Sequence, residues 1–299
     1  MNCVVSPLLR IKLNDVLRIA GIIWRENIAR PGEQAGRDGI YHTFNEWHLG
    51  DNLIHLNFLR RLAVKHPDCQ FLHACRVHYH EALKPVVWPL ANVRIVPLQG
   101  RNPHAVDAWI NHGAWTPHGG CSHKSPVRFD WGKFHAPFFA DLARRMGLET
   151  PLNSPDDYLF DYPALKQETQ LPGQWNFLVC NGSVMSGQLP RWKDTDWDDV
   201  IGWLIGKGHS VVCTQPSRTG AVCTAEHGLS VTGVGNVSMR VDKIIGCPSG
   251  AMWPTFNIWN KDTPRILVHS RATVALGTHT DHARNKGELR QMLEKAGWI

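Results

Sequence analysis

Ile40–Lys65 reads IYHTFNEWHLGDNLIHLNFLRRLAVK, and this stretch decides the architecture. Ile40-Tyr41-His42-Thr43-Phe44 is a short alternating apolar run, which predicts a strand. A loop follows from Asn45 to Gly50. From Asp51 onward, Leu53, Ile54, Leu56, Leu59 and Leu62 recur at helical spacing and predict a helix over 51–66 with one apolar face. Strand, Gly50-Asp51 turn and helix place a carboxylate and a helix N-terminus at the carboxyl end of a strand, the edge at which open α/β sheets bind ligands. Such a helix start favours anions, because its first N–H groups are unpaired and the dipole is positive there.

The same rhythm continues on both sides of the linker. Strands are expected at 70–74 and 93–98 around a helix at 78–87, and short turns between alternating strands and helices imply right-handed crossovers and a parallel sheet. From 99 to 133 the pattern dissolves into Gly, Pro, His and Trp, and 134–146 reads as a helix closing at Gly147. The stretch 152–173 is polar and aperiodic, which reads as a linker. The second half predicts strands at 175–180, 210–214, 229–233, 242–246 and 265–269. Helices are expected at 194–207, from about Ala251, and at 284–296. Gly233-Val234-Gly235-Asn236-Val237-Ser238 lacks the third glycine of a dinucleotide fingerprint and reads as a turn. The fold class is therefore α/β, with two Rossmann-like parallel-sheet domains facing a cleft. The divisions are a leader helix (14–24) and connector in 1–39, a domain at 40–155, a linker at 156–173 and a domain at 174–299.

Composition narrows the function classes. The chain has 299 residues, 43% hydrophobic and 19% charged, enough apolar surface for extended cores. A net charge of +6 with 17 histidines suits an anionic small ligand or an acidic surface. No Lys/Arg run or stripe stands out, which argues against nucleic acid. Eight cysteines form no CxxC pair and several lie in apolar runs, as expected of reduced thiols in a cytoplasmic protein. Arg10, Lys12, Asp15 and Arg18 interrupt the N-terminal apolar residues, so neither a signal peptide nor a transmembrane segment is expected. His118, Cys121 and His123, and separately His73, Cys75, His78 and His80, miss structural-zinc spacing, so no metal is expected.

Three motifs then carry a resemblance. His48-Leu49-Gly50-Asp51-Asn52-Leu53-Ile54, with Phe58-Leu59-Arg60-Arg61-Leu62 and His66-Pro67-Asp68, forms the first. Pro190-Arg191-Trp192-Lys193-Asp194-Thr195-Asp196-Trp197, with Gly208-His209-Ser210-Val211-Val212, forms the second. The third is Asp242-Lys243-Ile244-Ile245-Gly246-Cys247-Pro248-Ser249-Gly250-Ala251-Met252-Trp253. Together, over about 40–270, they resemble the signatures of the heptosyltransferase-like glycosyltransferases of family 9. That resemblance implies a GT-B fold, a nucleoside-diphosphate-sugar donor held mainly by the C-terminal half, an acceptor (glycan, lipid or protein) on the N-terminal half, and no cofactor. Pro248 replaces the family's Asp before Ser-Gly, Trp253 replaces its His after Met, and the first helix lacks the usual proline.

The residues suit that chemistry. Asp51 fits a general base for an acceptor hydroxyl, although an Asp at a helix start is also a preferred N-cap. His48 is a second acid/base candidate, and Glu46 and Gly50 fall on the acceptor side. Ser249, Gly250 and Met252 follow a strand, where backbone N–H groups can cradle a diphosphate. Arg191 and Lys193 suit neutralisation of the departing nucleotide, and Ser183 lies in the loop after the first C-terminal strand. Two alternatives stay open: a non-catalytic nucleotide- or sugar-binding or scaffold protein on this fold, and another GT-B sugar-nucleotide enzyme such as an epimerase.

Overall fold

The computed structural model describes residues 39–46, 48–98, 109–111, 139–140, 142–143, 146–150, 152–167, 171–182, 192–268 and 280–299. The expected leader helix and most of the expected 134–146 helix lie outside them. In the first half, β1 (Ile40–Asn45) leads into α1 (Leu49–Lys65), then β2 (Gln70–Cys75), α2 (His80–Val87), β3 (Val93–Pro97) and β4 (Trp109–Asn111). The strands form a parallel sheet in the order β3-β2-β1-β4. α1 forms because its apolar residues line one side: Leu53, Leu56, Leu59 and Leu62 are all fully buried. Each such leucine contributes roughly 2 kcal/mol relative to exposure.

The second half carries β5 (Trp175–Cys180), α3 (Asp194–Gly206), β6 (Val211–Cys213), β7 (Val222–Cys223), α4 (Val231–Val237), β8 (Val241–Gly246), β9 (Arg265–Val268), β10 (Thr280–Ala283) and α5 (Lys286–Lys295). Its sheet is also parallel, ordered β10-β9-β8-β5-β6-β7. One hydrophobic cluster runs through both halves, joining Leu53 and Leu59 of α1 to Val234 and Ile244; a second lies on the other face of the second sheet. Among the described residues no helix is long and apolar enough to cross a membrane.

Three expectations are corrected. The strand at 229–233 and the turn at 233–238 are instead α4, capped by Ser230 Oγ accepting from Gly233 N–H at 3.3 Å. The cap outweighs the β-branched Val and Thr residues. Gly235 lets this helix close, since a Cβ there would lie 2.4 Å from Leu165 Cδ2. The helix expected from Ala251 is only a 3-10 turn, Trp253–Thr255, with Pro254 inside it; proline has no N–H with which to extend a helix. The short strands β4, β7 and β10 were not expected.

The aperiodic stretch 152–173 is tightly packed. It contains two 3-10 turns, Pro155–Tyr158 and Pro163–Lys166, and buries Tyr158, Leu159, Phe160, Tyr162 and Leu165. On one side Asn57 Nδ2 donates to Tyr158 O at 3.1 Å, Arg61 Nη2 donates to Leu159 O at 2.8 Å, and Arg60 pairs with Asp161. On the other, Phe160 N–H donates to Phe256 O at 2.9 Å and Ile258 N–H to Phe160 O at 3.1 Å. The segment ties α1 to the second half.

Candidate functional site

Both sheets are parallel, so each gathers the carboxyl ends of its strands along one edge. In the first sheet, β1 ends at Asn45 and the chain turns through His48 into α1. His48, not Asp51, is the N-cap: α1 begins two residues earlier than the leucine spacing suggests, and Asp51 lies inside the first turn. A carboxylate there is favoured by the helix dipole but is not the capping side chain. Asp51 and Glu46 are partly exposed, whereas Gly50 is buried. Among the described residues, the buried Nδ1 atom of His48 has no hydrogen-bond partner.

In the second sheet, β8 ends at Gly246 beside Cys180 of β5, their register partners. The following loop is held from below. The Cys247 thiol, which burial pushes up to about 12, stays protonated and its Sγ donates to Gly182 O at 3.0 Å. Asn181 joins the neighbouring loop: its Oδ1 accepts from Thr214 N–H at 3.0 Å and Gln215 N–H at 2.8 Å. Its amide is thereby engaged in the scaffold and not offered to a ligand. Ser249 N–H is likewise engaged, donating to Cys247 O at 2.6 Å. The Ser249 hydroxyl is buried beside the Cys247 thiol, whose pKa it lowers against the effect of burial.

The two edges meet. A Cβ on Gly50 would lie 2.4 Å from Trp253 Nε1, and one on Gly250 would lie 3.1 Å from Leu49 Cδ2. Glycine is required at residue 50 because the indole of the second half rests on the backbone of the first. The start of α1 and the Ser249-Gly250 loop are therefore in contact, although about 200 residues separate them in sequence.

The other expected site residues fall as follows. Met252 is fully buried, its Sδ packed under Gly246, so it supports the loop and does not line the cleft. Lys193 is exposed at the N-cap of α3, where its N–H donates to Asp196 Oδ2 at 2.8 Å. Ser183 and Arg191 lie outside the described residues, as do 99–108 and 112–133 of the stretch where the pattern dissolves, with His118, Cys121 and His123. Among the described residues no three His, Cys, Asp or Glu side chains stand close enough to hold a metal. A groove of about 340 Å³ lined by Arg60, Arg61, Lys65 and Asp161 lies at the other end of α1, and its two arginines are already ion-paired. Sequence reasoning assigned no place at the site to Asn52, His55 or His73, the last weighed only as a metal ligand. All three are fully buried beneath the turn, and the signal was present for two of them, since Asn52 and His55 fall on the leucine face of α1.

With this geometry the chain can be compared with known proteins. It matches the crystal structure of a glycosyl transferase family 9 protein from Veillonella parvula DSM 2008 over 89% of its own length and 91% of the other chain, with a TM-score of 0.54 and 13% identity. The E. coli heptosyltransferase WaaC, solved with ADP, is matched over 86% of this chain and 98% of that one, with a TM-score of 0.50 and 14% identity. The same enzyme with ADP-2-deoxy-2-fluoro heptose gives 0.51 and 15% over 86% and 99%. The fold is that of the GT-B glycosyltransferases. No protein-family profile and no curated protein sequence matches the chain. The resemblance read from the three motifs thus holds at the level of the whole fold.

Proposed function

We propose that this chain is a metal-independent glycosyltransferase that moves a sugar from a nucleoside-diphosphate donor to a hydroxyl of a glycan, lipid or protein. In this reading the acceptor oxygen attacks the anomeric carbon while the Asp51 carboxylate takes its proton, and the bond to the nucleoside diphosphate breaks. The leaving diphosphate gains charge as that bond breaks. The positive end of α1, the Ser249 hydroxyl, the Gly250 backbone, Ser183, Arg191 and Lys193 are the groups assigned to stabilise it. Glu46, His48 and Gly50 belong to the acceptor side.

One observation carries the reading: the Gly50–Trp253 and Leu49–Gly250 contacts bring a carboxylate-bearing helix start from one half against a Ser-Gly loop of the other. The donor class is supported by the WaaC structures of the same fold, which were solved with ADP and with an ADP-heptose analogue. The Trp253 indole on Gly50 favours a second reading, a non-catalytic binding protein, because family loops carry a smaller histidine at that place. A thermal-shift screen of ADP, GDP, UDP and CMP and their sugar conjugates tests both. A ligand at 100 times its Kd adds about 2.7 kcal/mol, a shift of about 4 °C for a chain of this size. One diphosphate standing clear of the others names the donor class, and Asp51-dependent turnover of its sugar conjugate then separates the transferase from the binding protein; no shift from any of them contradicts the transferase.

A further inference from the structure

Beneath the Gly50-Asp51 turn lie Thr43 of β1, Asn52 of α1 and His73 of β2, all fully buried and none with a part in the chemistry above. Asn52 Nδ2 donates to the His48 carbonyl at 3.0 Å, which orients the amide and turns its Oδ1 toward His73 Nε2, 3.1 Å away. An amide oxygen only accepts, so Nε2 carries the proton. Burial holds His73 down to about 3, so the ring is neutral and Nδ1 is a bare acceptor. Thr43 Oγ1 stands 3.0 Å from that nitrogen and 3.4 Å from Leu72 O; the unprotonated nitrogen takes the shorter hydrogen bond, and the strand register places Thr43 directly opposite His73. Donor and acceptor directions therefore agree all the way from Thr43 through His73 and Asn52 to the His48 carbonyl.

We propose that His73 and Asn52 are positioning residues, and that this one-directional hydrogen-bond chain fixes the His48 carbonyl and with it the turn that presents Asp51 to the acceptor. The inference rests on the transferase reading of Asp51. Three polar side chains taken out of water are tolerated only when they satisfy one another, and a fully satisfied buried network rigidifies what it touches. Here it touches the last residues before the proposed base. Asn52 holds the His48 carbonyl twice, through its side chain and through its own N–H at 3.2 Å. A fixed turn matters because a shift of about 1 Å at a reacting group lowers rate about 100-fold.

Two isosteres separate positioning from packing. His73→Gln keeps an N–H where Nε2–H stood; His73→Asn places its amide nearer Nδ1 and loses the donor to Asn52. With the full chain and the sugar nucleotide that the screen selects, His73→Asn and Asn52→Leu are expected to lower kcat by about 10- to 100-fold with KM nearly unchanged, while His73→Gln stays close to wild type. Amide hydrogen exchange over residues 48–53 gives a reading independent of turnover: it should quicken in His73→Asn and not in His73→Gln. Equal kcat in all variants, or an equal loss in the Gln and Asn variants, overturns the proposal. A wild-type chain that turns over no sugar nucleotide contradicts the transferase reading, and with it the positioning of a base. Exchange then still decides whether the chain fixes the turn.

Discussion

The contact between the two halves can be measured directly. In Gly50→Ala the new methyl would sit 2.4 Å from Trp253 Nε1 and 2.6 Å from its Cδ1, far inside van der Waals distance. The ring must move, and overpacking of this kind destabilises by about 1–3 kcal/mol. Against it stands the helix preference of Ala over Gly, about 1 kcal/mol, because residue 50 lies within α1. Gly50→Ala alone should therefore be destabilising by about 0–2 kcal/mol. In a Trp253→Ala background the clash is gone and only the helix preference remains, so the same substitution should stabilise by up to about 1 kcal/mol. The sign reverses, and the coupling in the double-mutant cycle is about 1–3 kcal/mol. Urea unfolding of the four proteins, compared at constant m, gives this number. Additivity within about 0.5 kcal/mol would mean that residues 50 and 253 do not touch, and the meeting of the two sheet edges would fall with that contact.

Two more predictions concern buried charge. His73 is held near 3 in the fold against 6.5 unfolded, so the unfolded chain binds the proton and stability is lost as pH falls below 6.5 toward 3. At pH 5 the loss from this residue is about 2 kcal/mol, or about 3 °C, and His73→Gln should lack that part of the acid destabilisation; parallel pH-stability curves for the two proteins would refute it. Arg265 is almost wholly buried and its Nη atoms donate to Thr263 O at 2.7 Å, Thr255 O at 2.9 Å and Asn260 O at 2.8 Å. Arg265→Leu removes the donor to the Thr255 and Thr263 carbonyls, while Asn260 O keeps the Thr263 N–H at 3.0 Å, and should destabilise by about 3–5 kcal/mol in denaturant titration. A change below about 1 kcal/mol would show that other donors replace it.

Most strands and the main helices were legible because their signals are local. The leucines of α1 repeat at helical spacing, and the apolar runs of β5 and β8 are bounded by turn residues. α4 was not legible, since Val231, Thr232 and Val234 carry a strand preference that only the Ser230 cap and the packing of Gly235 against Leu165 overcome. The packed character of 155–166 escaped for another reason. Tyr158, Leu159, Phe160 and Tyr162 are buried almost consecutively between two partners, which leaves neither period 2 nor period 3.6. At the site, the Gly50-Asp51 turn and the Ser249-Gly250 loop were each readable. Their meeting was not, because it depends on how two sheets pack. Thr43, Asn52 and His73 read as ordinary polar residues until the fold brings them into line, though two polar side chains on the leucine face of α1 were a sign of something beneath.

The central claim is that Asp51 is the base of a sugar transfer. It is tested most directly by comparing wild type and Asp51→Asn for turnover of the donor that the ligand screen selects. The account predicts that Asp51→Asn binds that donor and unfolds at nearly the wild-type temperature while kcat falls by at least about 100-fold. A variant that turns over at the wild-type rate contradicts it.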